Sequence, residues 1–258
     1  MWRSRKKELI ATAAILLTWE ACSRLLNLRF LPGAAASASA LIILCEDGTI
    51  PVHFFASLYR IVLGSAIGLV IAVPVGLIIG RNRKLNDYLG TVLNILYPVP
   101  KVVFLPIIVV AMGIGDMPKI FLIALVLFFQ MTVVIRDAAQ NIHEELSRSM
   151  IALGANKIQY MYHLVFLGCL PDIMTALRGT IGVSTAMLFI TENFASSRGL
   201  GYFITKCMNN RNYEEMYAGI LALILLGLFI YGIVGFAERT VCRWKTLECN
   251  IKQSQEIG

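Results

Sequence analysis

The sequence predicts an all-α integral membrane protein of about six transmembrane helices, and three observations carry that expectation. Of its 258 residues, 57% are hydrophobic and only 15% charged, against roughly 45–50% and about 25% in soluble globular domains. Several apolar stretches reach the ~20 residues that a helix needs to cross the hydrocarbon core, and short polar joints separate them. The formal net charge of +7 gathers in alternate joints, as the preference of Lys and Arg for short cytoplasmic loops requires. The length suits one membrane domain over 1–258 and leaves no room for a soluble catalytic domain.

Six crossings can be drawn, over Glu8–Leu28, Ser57–Gly80, Leu85–Met112, Pro118–Ile135, Ile173–Ala195 and Met216–Phe236. With the amino terminus inside, the inner joints hold Arg3, Arg5, Lys6 and Lys7, then Arg81, Arg83 and Lys84. Arg136, Arg148, Lys157 and Arg178 follow, and finally Arg239, Arg243, Lys245 and Lys252. The outer side keeps mainly Arg29, Lys119, Arg198, Lys206 and Arg211, an asymmetry that predicts both termini inside. It also accounts for the basic charge without invoking nucleic acid. The basic start followed by Leu9 to Trp19 imitates a signal peptide, but Trp19-Glu20-Ala21 before Cys22 is a poor small-residue cleavage site. An uncleaved first helix is expected.

Within the second crossing, Gly64 and Gly68, then Gly76 and Gly80, form two GxxxG spacings that let helix backbones approach closely, and Pro74 predicts a kink. The third carries Pro98, Pro100 and Pro106 beside Lys101. Such a span is broken, and broken backbone at membrane depth is either buried in protein or lines a wet cavity.

The long joint from Arg136 to Pro171 reads as two short helices hinged at a glycine. Asn141 with Glu144 marks one start, after which Leu146, Met150 and Leu153 recur at helical spacing until Gly154. Asn156 with Gln159 marks the next, with Ile158, Met161, Tyr162 and Val165 on one face before Pro171. From pattern alone this is a surface helix pair resting on lipid headgroups or a docking element for a partner.

Several chemistries leave no trace. The six cysteines, Cys22, Cys45, Cys169, Cys207, Cys242 and Cys249, show no CxxC and no regular spacing, and His53, His143 and His163 show no HExxH. No metal, cofactor or catalytic residue is therefore expected. There is no GxSxG, and no GxxxxGK[ST] loop to cradle nucleotide phosphates.

The stretch Ser149-Met150-Ile151-Ala152-Leu153-Gly154-Ala155, with Pro171 seventeen positions after the glycine, resembles the "EAA" signature of bacterial ABC importer permeases. Other landmarks are similar to the branch that serves nitrate, taurine and aliphatic sulfonates. They are Leu31-Pro32, Ser57-Leu58-Tyr59-Arg60, Pro98-Val99-Pro100 with Leu105-Pro106, and Gly113-Ile114-Gly115-Asp116 with Lys119-Ile120-Phe121-Leu122. Glu192 and Gly199-Leu200-Gly201-Tyr202 follow. The resemblance runs over about 31–244, with the coupling segment at about 141–171. It departs at Arg148, where the family usually has an acid, and at Leu167, where it often has proline.

The resemblance implies a type I importer transmembrane domain in the cytoplasmic membrane, acting as a homodimer with two ATP-binding cassette subunits and an extracytoplasmic solute-binding protein. ATP hydrolysis then belongs to another subunit. Leu146, Arg148, Met150, Ala152, Leu153, Gly154 and Pro171 become the candidate ATPase-coupling residues, with Leu146, Met150 and Leu153 as the apolar docking face and Gly154 as a left-handed hinge. Arg148 either meets a carboxylate or carbonyls of the ATPase or points into water. The cargo stays open among nitrate, a sulfonate, taurine, bicarbonate, a vitamin precursor or a flavin.

Polar groups inside a membrane are costly and are functional candidates by default. Thr132, Ser184, Thr185, Glu192 and Asn193 are the candidates for the translocation path, along with Gln130. For the hydroxyls the competing role is a bond back to their own helix, and for Glu192 an outer-interface position or a pair with Arg198. Glu20 and Arg24 read as a simple helix pair. A transporter or channel working without ATP is the alternative, but the halves show no repeat of the kind such proteins carry.

Overall fold

The computed structural model describes the backbone of residues 2–243 and the side chains of 10–243. The basic cluster Arg3 to Lys7, and Lys245, Cys249 and Lys252, lie outside the described side chains. Among the described residues the structure is all helical. The helices are α1 (Trp2–Leu26), α2 (Ala34–Glu46), α3 (Thr49–Arg81), α4 (Arg83–Leu96), α5 (Lys101–Met112), α6 (Met117–Gln140), α7 (Glu144–Ala152), α8 (Lys157–Glu192), α9 (Leu200–Asn209) and α10 (Tyr213–Val241).

Four of these, α3, α6, α8 and α10, are long and apolar enough to cross a membrane, and α4 with α5, bent by 78°, makes a fifth. The sixth expected crossing, at the amino end, is helical over Trp2–Leu26. Two further helices, α2 and α9, are too short to span and lie where the sequence predicts no crossing.

The chain divides into two compact units. The first holds residues 1–59 and 192–226, hence α1, α2, the start of α3, α9 and the first half of α10. Here Trp19 Nε1 donates to the Pro32 carbonyl at 3.1 Å and Ser23 Oγ to that of Leu31 at 2.7 Å, which fixes the turn into α2. Glu20 does more than pair with Arg24 at 2.8 Å, since its other oxygen accepts the N–H of Ala35 in the first turn of α2.

The second unit holds residues 60–191 and 227–258. Its core joins α3, α6 and α8 through Ala72, Leu77, Leu127, Met131, Ile135, Val165 and Ile173. The two GxxxG spacings do what their pattern predicts. A Cβ on Gly64, Gly68, Gly76 or Gly80 would lie within 3.0 Å of α6 at Ile123, the Ala124 carbonyl, Ile135 and the Arg136 carbonyl, respectively. Bare backbone on α3 is thus what lets α6 seat against it. At Gly80 the nearest atom, 2.5 Å away, is backbone and cannot rotate aside. Gly80→Ala is expected to destabilise the protein by about 1–3 kcal/mol through overpacking. Gly182→Ala on α8, where a Cβ meets nothing within 4 Å, is the control. Equal thermal unfolding of the two variants in detergent would refute the close-packing account.

The broken third span also has a local cause. Pro98 and Pro100 lack the N–H groups that would continue α4, leaving carbonyls without helical donors. The buried Lys101 ammonium takes over, donating to the carbonyls of Leu96 at 2.7 Å and Tyr97 at 2.6 Å and lying 4.6 Å from the centre of the Phe129 ring. The expected hinged pair after α6 needs two corrections. Asn141 does not start α7 but ends α6, and His143 precedes α7 without a side-chain cap. The second element is no short surface helix, because it continues unbroken from Lys157 to Glu192 as a span. A π-helical stretch, Tyr160–Phe166, lies just ahead of Pro171. Such a wide turn is one way for a membrane helix to absorb the hydrogen bond that a proline removes.

Candidate functional site

In the second unit, α7 is held on its inner side by a single polar cluster. Arg81, the last residue of α3, donates to Ser147 Oγ at 2.9 Å, to the Tyr160 hydroxyl and to the Ala139 carbonyl at 3.3 Å. Ser147 is the buried residue of α7, and the sequence reading passed over it. The far side carries the apolar surface. Leu146, Leu153 and, across the turn, Ile158 are 51, 84 and 79% exposed, and Ala152 is exposed, whereas Met150 is half-buried; Ile151, 66% exposed, lies instead on the Arg81 side of α7, where it lines a cavity. Two members of the predicted docking face are thus outward, and the third is partly turned in.

The end of α7 is a Schellman cap. Gly154 N–H donates to the Ile151 carbonyl at 3.0 Å and Ala155 N–H to that of Met150 at 3.1 Å, with Gly154 at φ +79°. This is the left-handed conformation expected of the hinge. Asn156 and Gln159 then form the reciprocal capping box that opens α8. Pro171 is not part of this surface, since it lies buried within α8.

Arg148 faces solvent and finds its partner on its own helix, Glu144, at 2.9 Å, with both side chains about four-fifths exposed. An exposed i,i+4 pair contributes ~0.3–0.5 kcal/mol. Arg148→Glu is therefore expected to leave uptake within about twofold of wild type. A loss beyond tenfold would show instead that the guanidinium docks a partner.

A second constellation lies in the first unit. Glu192 is fully buried, and its carboxylate accepts Ser57 Oγ at 2.8 and 2.9 Å and the N–H of Gly201 at 2.8 Å. Ser57 Oγ in turn accepts the N–H of Leu200 at 2.8 Å, and His53 Nδ1 that of Gly199 at 3.1 Å. Ser57 and His53, distant in sequence, and Glu192, nine positions before Gly201, so occupy the donors at the start of α9, where the helix dipole favours a negative charge. Asn193 is exposed; its side-chain carbonyl accepts the Thr205 hydroxyl at 2.6 Å, and it lines a polar cleft of about 340 Å³ with Ser196, Lys206 and Asn209.

The remaining polar candidates sit in the second unit. Thr132 is fully buried and its hydroxyl has no partner, Gln130 likewise leaves its carbonyl oxygen unpartnered, and Ser184 is 4% exposed. Thr185 is half-buried and bonds back to the Ile181 carbonyl at 2.9 Å. Arg60 and Asp116, from two of the recognised motifs, form an ion pair at 2.6 Å. Among the described residues no group of His, Cys, Asp and Glu could hold a metal ion.

Residues 72–242 match the family model described as the binding-protein-dependent transport system inner membrane component. The chain belongs to this family. It is 28% identical over 243 residues to the taurine transport system permease protein of Escherichia coli (strain K12), covering 91% of this chain and 88% of the relative. It is also 28% identical to the putative aliphatic sulfonates transport permease protein of the same organism, covering 94% and 93%. The nitrate import permease protein of Synechocystis sp. is 25% identical, with 76% and 71% covered. Among solved structures, a bacterial ABC transporter involved in alginate import gives a TM-score of 0.66 at 13% identity, covering 93% of this chain and 98% of that one. The MetNI methionine ABC transporter, described as inward facing, gives 0.63 at 19% identity, with 73% and 94% covered. At such identities these structures establish the fold, that of ABC importer transmembrane domains. The chain is an ABC importer permease subunit, a multi-pass membrane protein.

Proposed function

We propose that this permease works as a homodimer, docks a separate ATPase through α7 and carries a small sulfonate-, taurine- or nitrate-like solute delivered by an extracytoplasmic binding protein. The observation that supports the cargo class is the set of relatives named for taurine, aliphatic sulfonates and nitrate. What supports the docking role is the exposed apolar surface of α7, ended by a rigid glycine cap and anchored at its back by Arg81. A helix so held moves with the spans it is bonded to, so a closing motor could rock them. The test is uptake into proteoliposomes holding this chain with its partner ATPase and binding protein, using labelled taurine, an alkanesulfonate and nitrate. ATP-dependent uptake of at least one is expected. Uphill uptake by this chain alone under a proton or sodium gradient would sink the reading in favour of a secondary transporter.

Both termini are proposed to lie in the cytoplasm, and the structure changes how this is tested. Cys45 is exposed, but Cys207 is buried, and burial together with neighbouring Glu215 pushes its thiol up to about 11. Little thiolate then exists to react near neutral pH. In single-cysteine chains in intact cells, an impermeant maleimide is expected to label Cys45 rapidly, Cys207 slowly, and a cysteine at exposed Lys84 only after lysis. Cys242 is buried and its silence says nothing about sidedness. Labelling at position 84 before lysis would invert the topology.

A further inference from the structure

Behind α7, in the second unit, lies a cavity of about 490 Å³ that the transport reading does not use. It is bounded by Ile78, Arg81 and Asn82 at the end of α3, Ile151 on α7, and Lys157 and Met161 at the start of α8, among others. Two of these side chains are cations, and no carboxylate is among the cavity's lining residues. Among the described residues neither Arg81 nor Lys157 forms an ion pair, in contrast to Arg60, Arg136, Arg148 and Arg178. The guanidinium of Arg81 is also incompletely satisfied. Its two terminal nitrogens are bonded, but its Nε, fully buried, has no acceptor. The rest of the wall is largely apolar, and α3, which ends at Arg81, is a membrane span, so the cavity sits where a span meets its polar joint.

We infer that this cavity binds the phosphate of an anionic phospholipid, with Arg81 and Lys157 meeting the headgroup and Ile78, Ile151 and Met161 meeting the upper acyl chain. Charge complementarity and the apolar walls together select an anionic amphiphile. A free phosphate would leave the apolar surface uncovered, and a zwitterionic lipid would return its own positive charge to two unneutralised cations. Basic pockets between membrane helices recognise headgroups in this way. The consequence is regulatory. Arg81 holds Ser147 of α7 and Tyr160 of α8, so an anion on Arg81 would stiffen the support of the coupling helix from behind while its apolar front stays free. Lipid binding requires only that the chain spans a membrane and does not depend on the cargo, whereas its regulatory consequence rests on the proposed docking role of α7.

The experiment is a thermal-unfolding titration of the full chain, purified in a mild detergent and delipidated, with phosphatidylglycerol, phosphatidylcholine or inorganic phosphate. A saturable upward shift with phosphatidylglycerol alone is expected. Lys157→Gln, an exposed site whose loss spares the fold, is expected to weaken the half-saturating lipid concentration about fivefold, and Lys157→Glu further. Lys206→Gln on α9 is expected to respond as wild type. A photoreactive phosphatidylglycerol is expected to cross-link to peptides containing 78–82 or 151–161. Equal shifts with phosphatidylcholine, or an unchanged titration in Lys157→Glu with cross-links elsewhere, would overturn the proposal. A full response to inorganic phosphate would reassign the site to a free anion, and loss of the cross-link when the partner ATPase binds would give the cavity to an ATPase side chain instead.

Discussion

Gly154→Val is expected to reduce ATP-driven uptake by tenfold or more while leaving membrane insertion intact. At φ +79° an L-residue brings its Cβ against its own carbonyl, and a β-branched one does so with two heavy atoms. Strain of this kind is of order 1–3 kcal/mol, enough to unwind the last turn of α7 in most molecules. Space is not the issue, because a Cβ at this position meets nothing within 4 Å. That separation makes the test clean. Gly154→Asn, which tolerates the left-handed region, is expected to keep uptake within a few-fold of wild type. Measured with transport-stimulated ATPase activity in the reconstituted complex, a fully active Gly154→Val would mean that α7 does not couple the motor to the spans.

Glu192→Ala is the second large effect, and it falls on stability. The substitution strips the acceptor from the Ser57 hydroxyl and the Gly201 N–H, both buried. Hydrogen bonds to a charged group contribute about 1.5–3 kcal/mol each, and the deserted donors add their own desolvation cost. A loss of at least about 3 kcal/mol is expected, read as a lower unfolding temperature in detergent and faster proteolysis within 193–212. Ser57→Ala, which removes one link but leaves the carboxylate its Gly201 donor, is expected to fall between the two. An unfolding temperature unchanged in Glu192→Ala would show that α9 holds its own first turn.

What the sequence displayed and what it hid divide along one physical line. Signals written within four residues were legible. The glycine spacings of α3, the Asn156–Gln159 capping box, the left-handed Gly154 and the proline break before Lys101 all appear where the local pattern placed them. Even so, local signals compete. Asn141 with Glu144 imitates a helix start, yet α6 runs on to Gln140 because its core face, ending at Ala139, is buried to the last turn. Pro171 reads as a stop, yet it lies inside the α-helical stretch Leu167–Glu192 and α8 runs on past it. Nor is glycine required for a Schellman cap, since α9 ends in the same motif with Arg211 at φ +57°.

Contacts between distant residues left no local trace. Glu192 stands out in the sequence as an expensive charge, but nothing near it predicts that Ser57, 135 positions away, is its partner. The clamp of Ser147 by Arg81 spans 66 positions, and the acceptor role of His53 is equally invisible from its neighbours. Composition announces the membrane, and periodicity announces the helices. Which polar groups meet is decided only when the spans pack.

The start of α9 has a consequence for synthesis. A ten-residue helix is marginal by itself, and this one relies on acceptors in α3 that lie 143 and 146 positions earlier in the chain. Ser57 and His53 leave the ribosome first and wait for donors that do not yet exist. At ~5–20 residues per second that interval is about 7–30 s. Throughout it the nascent chain carries a polar notch in α3 that only its own carboxy-terminal third can fill. Chains released before residue 199 lack both donors, and in them the notch in α3 stays unfilled.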